Sequence, residues 1–276
     1  MIDFNKDVKI SYACPSYRRP KCLTAQYIPE TKIYIDESDE KDYREKNVGY
    51  GEIVVCEKGI QGNLPRVRNY ILDKEFENGA DIVVMMDDDV ESIGLYKPNK
   101  ENHYGYRVHK LVEMDEIDWF IKYGSLICQE WGYGMWGINY NSDPMLYQLY
   151  KPFTTLRPAI GQFMVFIKNE LRFDENLPLK EDYDMCIQQI NKYRGMLGIM
   201  FAYVNADFGK NIGGTSVRRN YESEKEQFKL FKKKWGSDIV RGCPTQGGLG
   251  KGNNKKNFKN KYDFSHPRVN IPIKGI

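Results

Sequence analysis

The run Ala80-Asp81-Ile82-Val83-Val84-Met85-Met86-Asp87-Asp88-Asp89 sets five consecutive apolar residues directly against three consecutive acids. A strand that is apolar on successive positions, instead of alternate ones, is covered on both faces, as at the centre of a parallel sheet. Parallel neighbours need long crossovers, usually helices, so this run commits the chain to an α/β layered architecture. The acids fall at the carboxyl end of that strand, where open parallel sheets bind their ligands. Three adjacent carboxylates repel one another and are costly unless a cation or several donors stabilise them. Oxygen-only ligands suit Mg2+ or Mn2+ better than zinc, and such ions keep water and phosphate oxygens in their shell. Along an extended chain Asp87 and Asp89 point one way and Asp88 the other, which makes Asp87 and Asp89 the expected metal pair. An acidic turn that caps the next segment is the plainer role for the same residues.

Segments before this run carry the same logic. Residues 8–14 (VKISYAC), 31–37 (TKIYIDE) and 51–57 (GEIVVCE) are short apolar strands, the first ended by Pro15. Between the third strand and the acidic one, Val67, Ile71, Leu72 and Phe76 recur at helical spacing and Gly79 stops the helix. Asp39 to Lys46 supplies a short polar helix. The first ninety residues therefore alternate strand and helix, as in a doubly wound sheet with right-handed crossovers. Farther on, residues 115–131 predict an aromatic-rich helix, 132–144 a Gly/Tyr/Trp loop or hairpin, and 161–171 a strand. A helix over 181–195, a strand over 196–208 and a charged amphipathic helix over 222–235 follow.

Composition narrows the class. The chain has 276 residues, 41% of them hydrophobic, with 20 Tyr, 13 Phe and 4 Trp, enough for a large core without disulfides. Six cysteines lie far apart with no C-x-x-C pair, which disfavours a zinc ribbon and points to reduced thiols. No apolar run approaches the length of a membrane span, and the first residues lack the pattern of a secretory signal. A soluble, cytoplasmic protein without a membrane partner is expected. The formal net charge is +3, but residues 241–276 hold eight Lys or Arg against one acid, leaving 33 against 37 before them. Within this basic C-terminal stretch, GGLGKGNNKKNFKNKYDF predicts a mobile loop or arm. Its lysines, interleaved with Phe258, Tyr262 and Phe264, suit a polyanion, and they would equally form a solvated extension. GGLGKG has neither the spacing nor the preceding strand of a P-loop.

Other short pieces fall in an informative order. Ala13-Cys14-Pro15-Ser16-Tyr17-Arg18-Arg19-Pro20 follows the first strand, Ile33-Tyr34-Ile35-Asp36-Glu37-Ser38 ends the second, and Asn63-Leu64-Pro65-Arg66-Val67-Arg68-Asn69 opens a helix. Gly161 to Asp184 joins an apolar strand to a helix start at Glu181-Asp182. Together with the acidic run, the ordered set resembles a GT-A glycosyltransferase over roughly residues 8–200. The resemblance implies an α/β, Rossmann-like, mostly parallel sheet flanked by helices. It divides the chain into a catalytic domain over 1–240, with a nucleotide-sugar half to about 100 and an acceptor half after it, and a basic extension over 241–276. It assigns Pro15, Tyr17 and Arg19 to the nucleotide, Asp36 to its base, and Arg68, Asp87 and Asp88 to the rest of the donor. Mn2+ or Mg2+ would sit on Asp89 and Asp87, with His266 as a late third ligand, and the donor would be a UDP-sugar. Asp182 would act as the base of an inverting enzyme and Glu181 would orient sugar or acceptor. Gly213-Gly214-Thr215-Ser216 resembles the flexible loop that closes over the donor.

Each residue also has a plainer role. Pro15 and Pro20 would stiffen a loop, Asp36 would cap the next turn, and Glu181 and Asp182 would favour a helix start through its dipole. His266 would be structural. A nucleotidyltransferase shares paired carboxylates but opens with a Gly-rich loop where this chain has Pro-Ser-Tyr-Arg-Arg-Pro. The Lys- and Asn-rich composition resembles that of large-phage proteins, and the pattern resembles phage TET-associated DNA glycosyltransferases. That likeness implies a hydroxymethylated cytosine in DNA as acceptor, with Trp131, Tyr133, Trp136 and Tyr140 replacing lost base stacking. A glycan acceptor, or a non-catalytic nucleic-acid-binding protein, stays open at this point.

Overall fold

The computed structural model describes residues 1–99, 101, 105–140, 142–143, 147, 150–156, 161–206, 214, 219–244 and 262–271. Its first four strands are those picked out by the apolar runs: β1 (Ile10–Pro15), β2 (Lys32–Ile35), β3 (Glu52–Val55) and β4 (Ile82–Met86). They pair in parallel in the order β3-β2-β1-β4. Helices α1 (Leu23–Tyr27), α2 (Glu40–Lys46) and α3 (Leu64–Glu77) make the crossovers. The Asn63 side chain caps α3 by accepting the Arg66 N–H at 3.2 Å, and Val67, Ile71, Leu72 and Phe76 are its buried face. All five residues of β4 are buried. Ile82, Val84 and Met86 enter one apolar cluster while Val83 and Met85 enter another, which is the two-sided burial that successive apolar residues require.

The second half is mixed. After β5 (Val90–Pro98), β6 (Tyr106–Leu111), α4 (Met114–Glu130), β7 (Met135–Asn139), β8 (Phe153–Thr154), β9 (Phe163–Ile167), α5 (Glu181–Tyr193) and β10 (Leu197–Ala206), the sheet reads β3-β2-β1-β4-β9-β7-β10-β5-β6. β8 pairs with β10 off this path. β9 lies antiparallel between β4 and β7, and β5 lies antiparallel between β10 and β6. Seven of these ten strands run in one direction and three, β5, β8 and β9, oppose them. The expected α/β class with a mostly parallel sheet is therefore what forms. Helix α6 (Tyr221–Trp235) follows, and β11 (Val240–Pro244) pairs antiparallel with β12 (Tyr262–Val269) in a separate two-stranded sheet.

One sequence expectation gives way here. Of residues 132–144, expected as a loop or hairpin, Met135–Asn139 is a strand with every residue buried. Trp136 there serves close packing. The Trp136 ring lies so near α4 that a Cβ on Gly124 would come within 2.6 Å of it, and Trp136 Nε1 donates to Ser125 Oγ at 3.0 Å. Trp136 is thus a core residue and is not free to stack on a ligand. The expected mobile loop or arm over residues 247–264 lies outside the described residues except for its last three, which belong to β12. Among the described residues no helix is long and apolar enough to cross a membrane. Cys14, Cys22, Cys56, Cys128 and Cys186 are buried thiols outside any disulfide.

Candidate active site

β4 ends at Met86 and residues 88–89 form a turn, so the three acids leave the sheet at its carboxyl edge. The turn is fastened through its backbone. Asp87 N–H donates to Gln162 O at 3.2 Å, and Leu23 N–H, opening α1, donates to Asp88 O at 2.9 Å. Thr24 Oγ1 donates to Asp87 O at 2.5 Å and accepts Val90 N–H at 3.0 Å. Strict alternation ends with the strand. Arg19 Nη1 lies 3.0 Å from Asp88 Oδ1 and 3.7 Å from Asp89 Oδ2, so Asp88 and Asp89 share one guanidinium. Asp87 is held by Arg68 Nη2 at 3.0 Å. The expected opposition of Asp88 to an Asp87–Asp89 pair is corrected by this turn.

The loop after β1 wraps the same acids. Ser16 Oγ donates to Asp88 Oδ2 at 2.5 Å and stands 2.6 Å from Tyr43 Oη, which accepts the Arg19 N–H at 3.0 Å. Pro15 closes β1, and Arg18 sits at φ 55°, a left-handed conformation that few side chains adopt. Tyr17 O accepts the Gly214 N–H at 3.1 Å. A Cβ on Gly214 would stand 3.4 Å from Arg19 Cζ, so this glycine, at φ +59°, lies against the guanidinium. Of the expected closing loop only Gly214 is among the described residues. Asp36 accepts Ser38 N–H at 3.0 Å and Ser38 Oγ at 2.7 Å, capping the turn after β2. Those two bonds hold its carboxyl below the ordinary range.

On the other side, α5 begins with the expected acids. Arg68, only 1% exposed, donates from Nη1 to Glu181 Oε1 at 3.2 Å and from Nη2 to Asp87 Oδ1 and Gly161 O at 3.0 and 3.1 Å. The expectation that Arg68 approaches a phosphate is corrected on that point: the guanidinium is buried and joins two carboxylates. Arg66 instead lies at the surface, paired with Glu175 at 2.8 Å. Gly161 N–H donates to Asp182 Oδ2 at 3.4 Å, so Gly161 touches both Arg68 and Asp182. A Cβ there would come within 2.9 Å of Arg68 Nη2, so a larger residue would have to displace the guanidinium. Helix α6 anchors this helix start. Buried Lys180 pairs with Glu224, and buried Asp184 accepts Trp235 Nε1 at 2.7 Å and pairs with Lys234 Nζ at 2.8 Å.

Electrostatics set this cluster apart. Burial, then Asp87 and Asp88, pushes the Asp89 carboxyl up to about 7. Burial, then Asp182, pushes Glu181 up to about 8 against the pull of Arg68. Burial also raises Asp87 and Asp88, opposed by Arg68 at the first and by Ser16 and Arg19 at the second. Asp89 Oδ1 and Glu181 Oε2 are buried and accept no hydrogen bond among the described residues. Buried oxygens in that state are rare and costly. Hard carboxylate oxygens at Asp89 and Asp87 fit Mg2+ or Mn2+, ions that take few protein ligands and keep water or phosphate. His266 does not complete that set. It lies exposed in β12, and among the described residues no three His, Cys, Asp or Glu side chains converge on a metal position.

Residues that sequence reasoning passed over are the fasteners. Ser16 lies within the Pro-Ser-Tyr-Arg-Arg-Pro segment with no role of its own in the sequence pattern, and Gly161 marks only the edge of the acceptor-side block. Thr24 and Tyr43 carry no local signal, since their partners lie 63 and 27 residues away in sequence.

No protein-family model and no curated protein matches the chain. Among solved structures it is similar to A197 from STIV, at 11% identity and TM-score 0.39, over 77% of this chain and 92% of that one. It is also similar to glucosyl-3-phosphoglycerate synthase from Mycobacterium tuberculosis in complex with Mn2+, UDP and glucosyl-3-phosphoglycerate, at 11% identity and TM-score 0.44, over 85% of this chain and 84% of that one. The same synthase with Mg2+ and UDP matches at 11% identity and TM-score 0.43, over 87% of this chain and 85% of that one. At TM-scores this low the likeness carries nothing about what this chain does.

Proposed function

We propose that the chain is a GT-A glycosyltransferase that moves a sugar from a nucleotide-sugar donor, of the UDP-sugar class, to an acceptor hydroxyl. One observation supports this reading above the rest. At the tip of the dry strand β4, Asp89 keeps a buried oxygen without a donor, and Arg68 ties that acidic turn to the Glu181–Asp182 helix start. Asp89 and Asp87 would hold Mn2+ or Mg2+, which supplies positive charge to the diphosphate leaving group when bound. Asp88 fixes Arg19 beside them, so that a second positive group borders the same anion. Pro15, Tyr17 and Gly214 would line the nucleotide, with Asp36 toward its base.

Transfer breaks the bond between the anomeric carbon and the diphosphate oxygen and forms one to the acceptor oxygen, through an oxocarbenium-like state. The acceptor hydroxyl loses its proton to Asp182, which Gly161 N–H orients. Glu181 stays protonated at neutral pH and can donate a hydrogen bond to sugar or acceptor. In this reading residues to about 100 bind the donor, 101–240 bind the acceptor, and 241–276 form an added basic element.

For the acceptor the reading favours a hydroxymethylated cytosine in DNA. Its support is the basic charge gathered in residues 241–276 together with Trp131, 45% exposed, at the end of α4. The test is incubation with Mn2+ and a panel of nucleotide sugars, with and without hydroxymethylated DNA, following free nucleotide and the mass of the DNA. Metal-dependent nucleotide release with a mass gain on the DNA is the expected result. Release that responds to glycans and never to DNA would remove the DNA acceptor, and no release with any donor would remove the enzyme.

A further inference from the structure

We infer that the flank of α6 beside β12, together with the outer face of the β11–β12 hairpin, is a docking surface for double-stranded nucleic acid. On α6 the residues Glu224, Phe228 and Phe231 are buried, and this face is used up against Leu177, Ile187 and Val240. One flank is fixed by Tyr221, whose ring lies 5.6 Å from Phe264 of β12. Lys225, Lys229 and Lys232 follow Tyr221 at intervals that keep them on that flank, beside the hairpin. Lys229 and Lys232 are exposed, and neither forms an ion pair among the described residues.

The hairpin adds a feature that helix electrostatics does not explain. Lysines in the last turn of α6 complement the helix dipole. Arg241 and Arg268, however, stand directly opposite one another across β11 and β12, both exposed and with no acid paired to either among the described residues. Like charges in that register destabilise a strand pair. A polyanion spanning both strands reverses the sign of that interaction, because each cation then neutralises a phosphate and releases a counterion. An anionic bilayer is the weaker match, since a helix lying in a lipid interface needs a free apolar face and that of α6 is buried.

The inference deepens the acceptor half of the proposed function and rests on it for the identity of the nucleic acid, yet it is tested without any sugar donor. A short labelled duplex of unmodified DNA is titrated with the full chain at several salt concentrations, beside phosphatidylserine vesicles. The charge reversals Arg241→Glu with Arg268→Glu, and separately Lys229→Glu with Lys232→Glu, are each expected to weaken duplex binding about tenfold or more. Each is also expected to flatten the dependence of log affinity on log salt by about two. Duplex affinity unchanged in both pairs, or binding to vesicles with none to the duplex, would overturn the surface. Charge-dependent duplex binding by a chain that releases no nucleotide from any donor would overturn the active site and leave the surface standing.

Discussion

Glu75 and Glu181 are both buried glutamates, 2% and 4% exposed, and they titrate in opposite directions. Burial raises Glu75, but Lys32 at 2.7 Å, Ser11 at 2.6 Å and the Tyr34 hydroxyl together outweigh it and leave the carboxyl below its ordinary range. Glu181 accepts from Arg68 on one oxygen, while its other oxygen has no donor among the described residues, and burial with repulsion from Asp182 outweighs the pull of Arg68. The first carboxylate sits behind the sheet between α3, β1 and β2 and is fully satisfied by the chain. The second sits beside Arg68 and the acids of β4, half-satisfied. A buried acid whose hydrogen bonds the fold completes is part of the scaffold, and one left short is waiting for something the fold does not contain.

The difference can be broken by substitution. Asp89→Ala removes the orphaned carboxylate, and the account expects metal-dependent nucleotide release to fall by about a thousandfold or more, with Asp182→Asn falling by about a hundredfold or more. Urea unfolding of both variants should match the wild type. If release persists in Asp89→Ala, the acidic turn is scaffold like Glu75. Glu75→Ala should do the reverse. It leaves Lys32 without its partner and should lower stability by about 3 kcal/mol in urea melts while leaving activity per folded molecule unchanged.

The pH response sharpens the same contrast. Folding raises Glu181 from an ordinary value of 4.5 to about 8, so the folded state binds more protons than the unfolded state between those values. That contribution to stability is complete below about pH 4.5 and is lost as pH rises through about 8, with a slope of at most about 1.4 kcal/mol per pH unit. Glu75, held low, contributes in the opposite sense and is lost as pH falls through its folded value. Denaturant melts of Glu181→Gln across this window should lose the downward slope, and those of Glu75→Gln should not. The smallest effect expected is on stability at neutral pH, where Glu181→Gln replaces an already protonated acid and should stay within about 1 kcal/mol of the wild type.

The regions differ too in how far the sequence discloses them. β1 to β4 and the crossovers α2 and α3 are legible because the strands are short apolar runs and Gly79 stops α3, whereas α1 (Leu23–Tyr27) has no such signal. The positions of the candidate acids follow from the strand they terminate. Their partners do not. Arg68 reaches Glu181 across 113 residues and Ser16 reaches Asp88 across 72, distances over which no periodicity carries information. The turn at residues 88–89 defeated the alternation rule because that rule holds only for extended chain. The glycines around Trp136 suggested a loop or hairpin because glycine serves turns and close packing alike: Gly132 has a left-handed φ with open space around it, while a Cβ on Gly134 would meet Gln189 and Tyr193 of α5 at 3.0 Å.

Calorimetric titration of a UDP-sugar into the protein with Mn2+ present, repeated with Asp89→Asn, bears most directly on the central idea that this buried oxygen exists to meet a cation and a diphosphate. Saturable binding by the wild type that needs the metal, and its disappearance in Asp89→Asn at unchanged fold, is the predicted result. Equal binding by both proteins, or binding by the wild type that is indifferent to Mn2+, would contradict it.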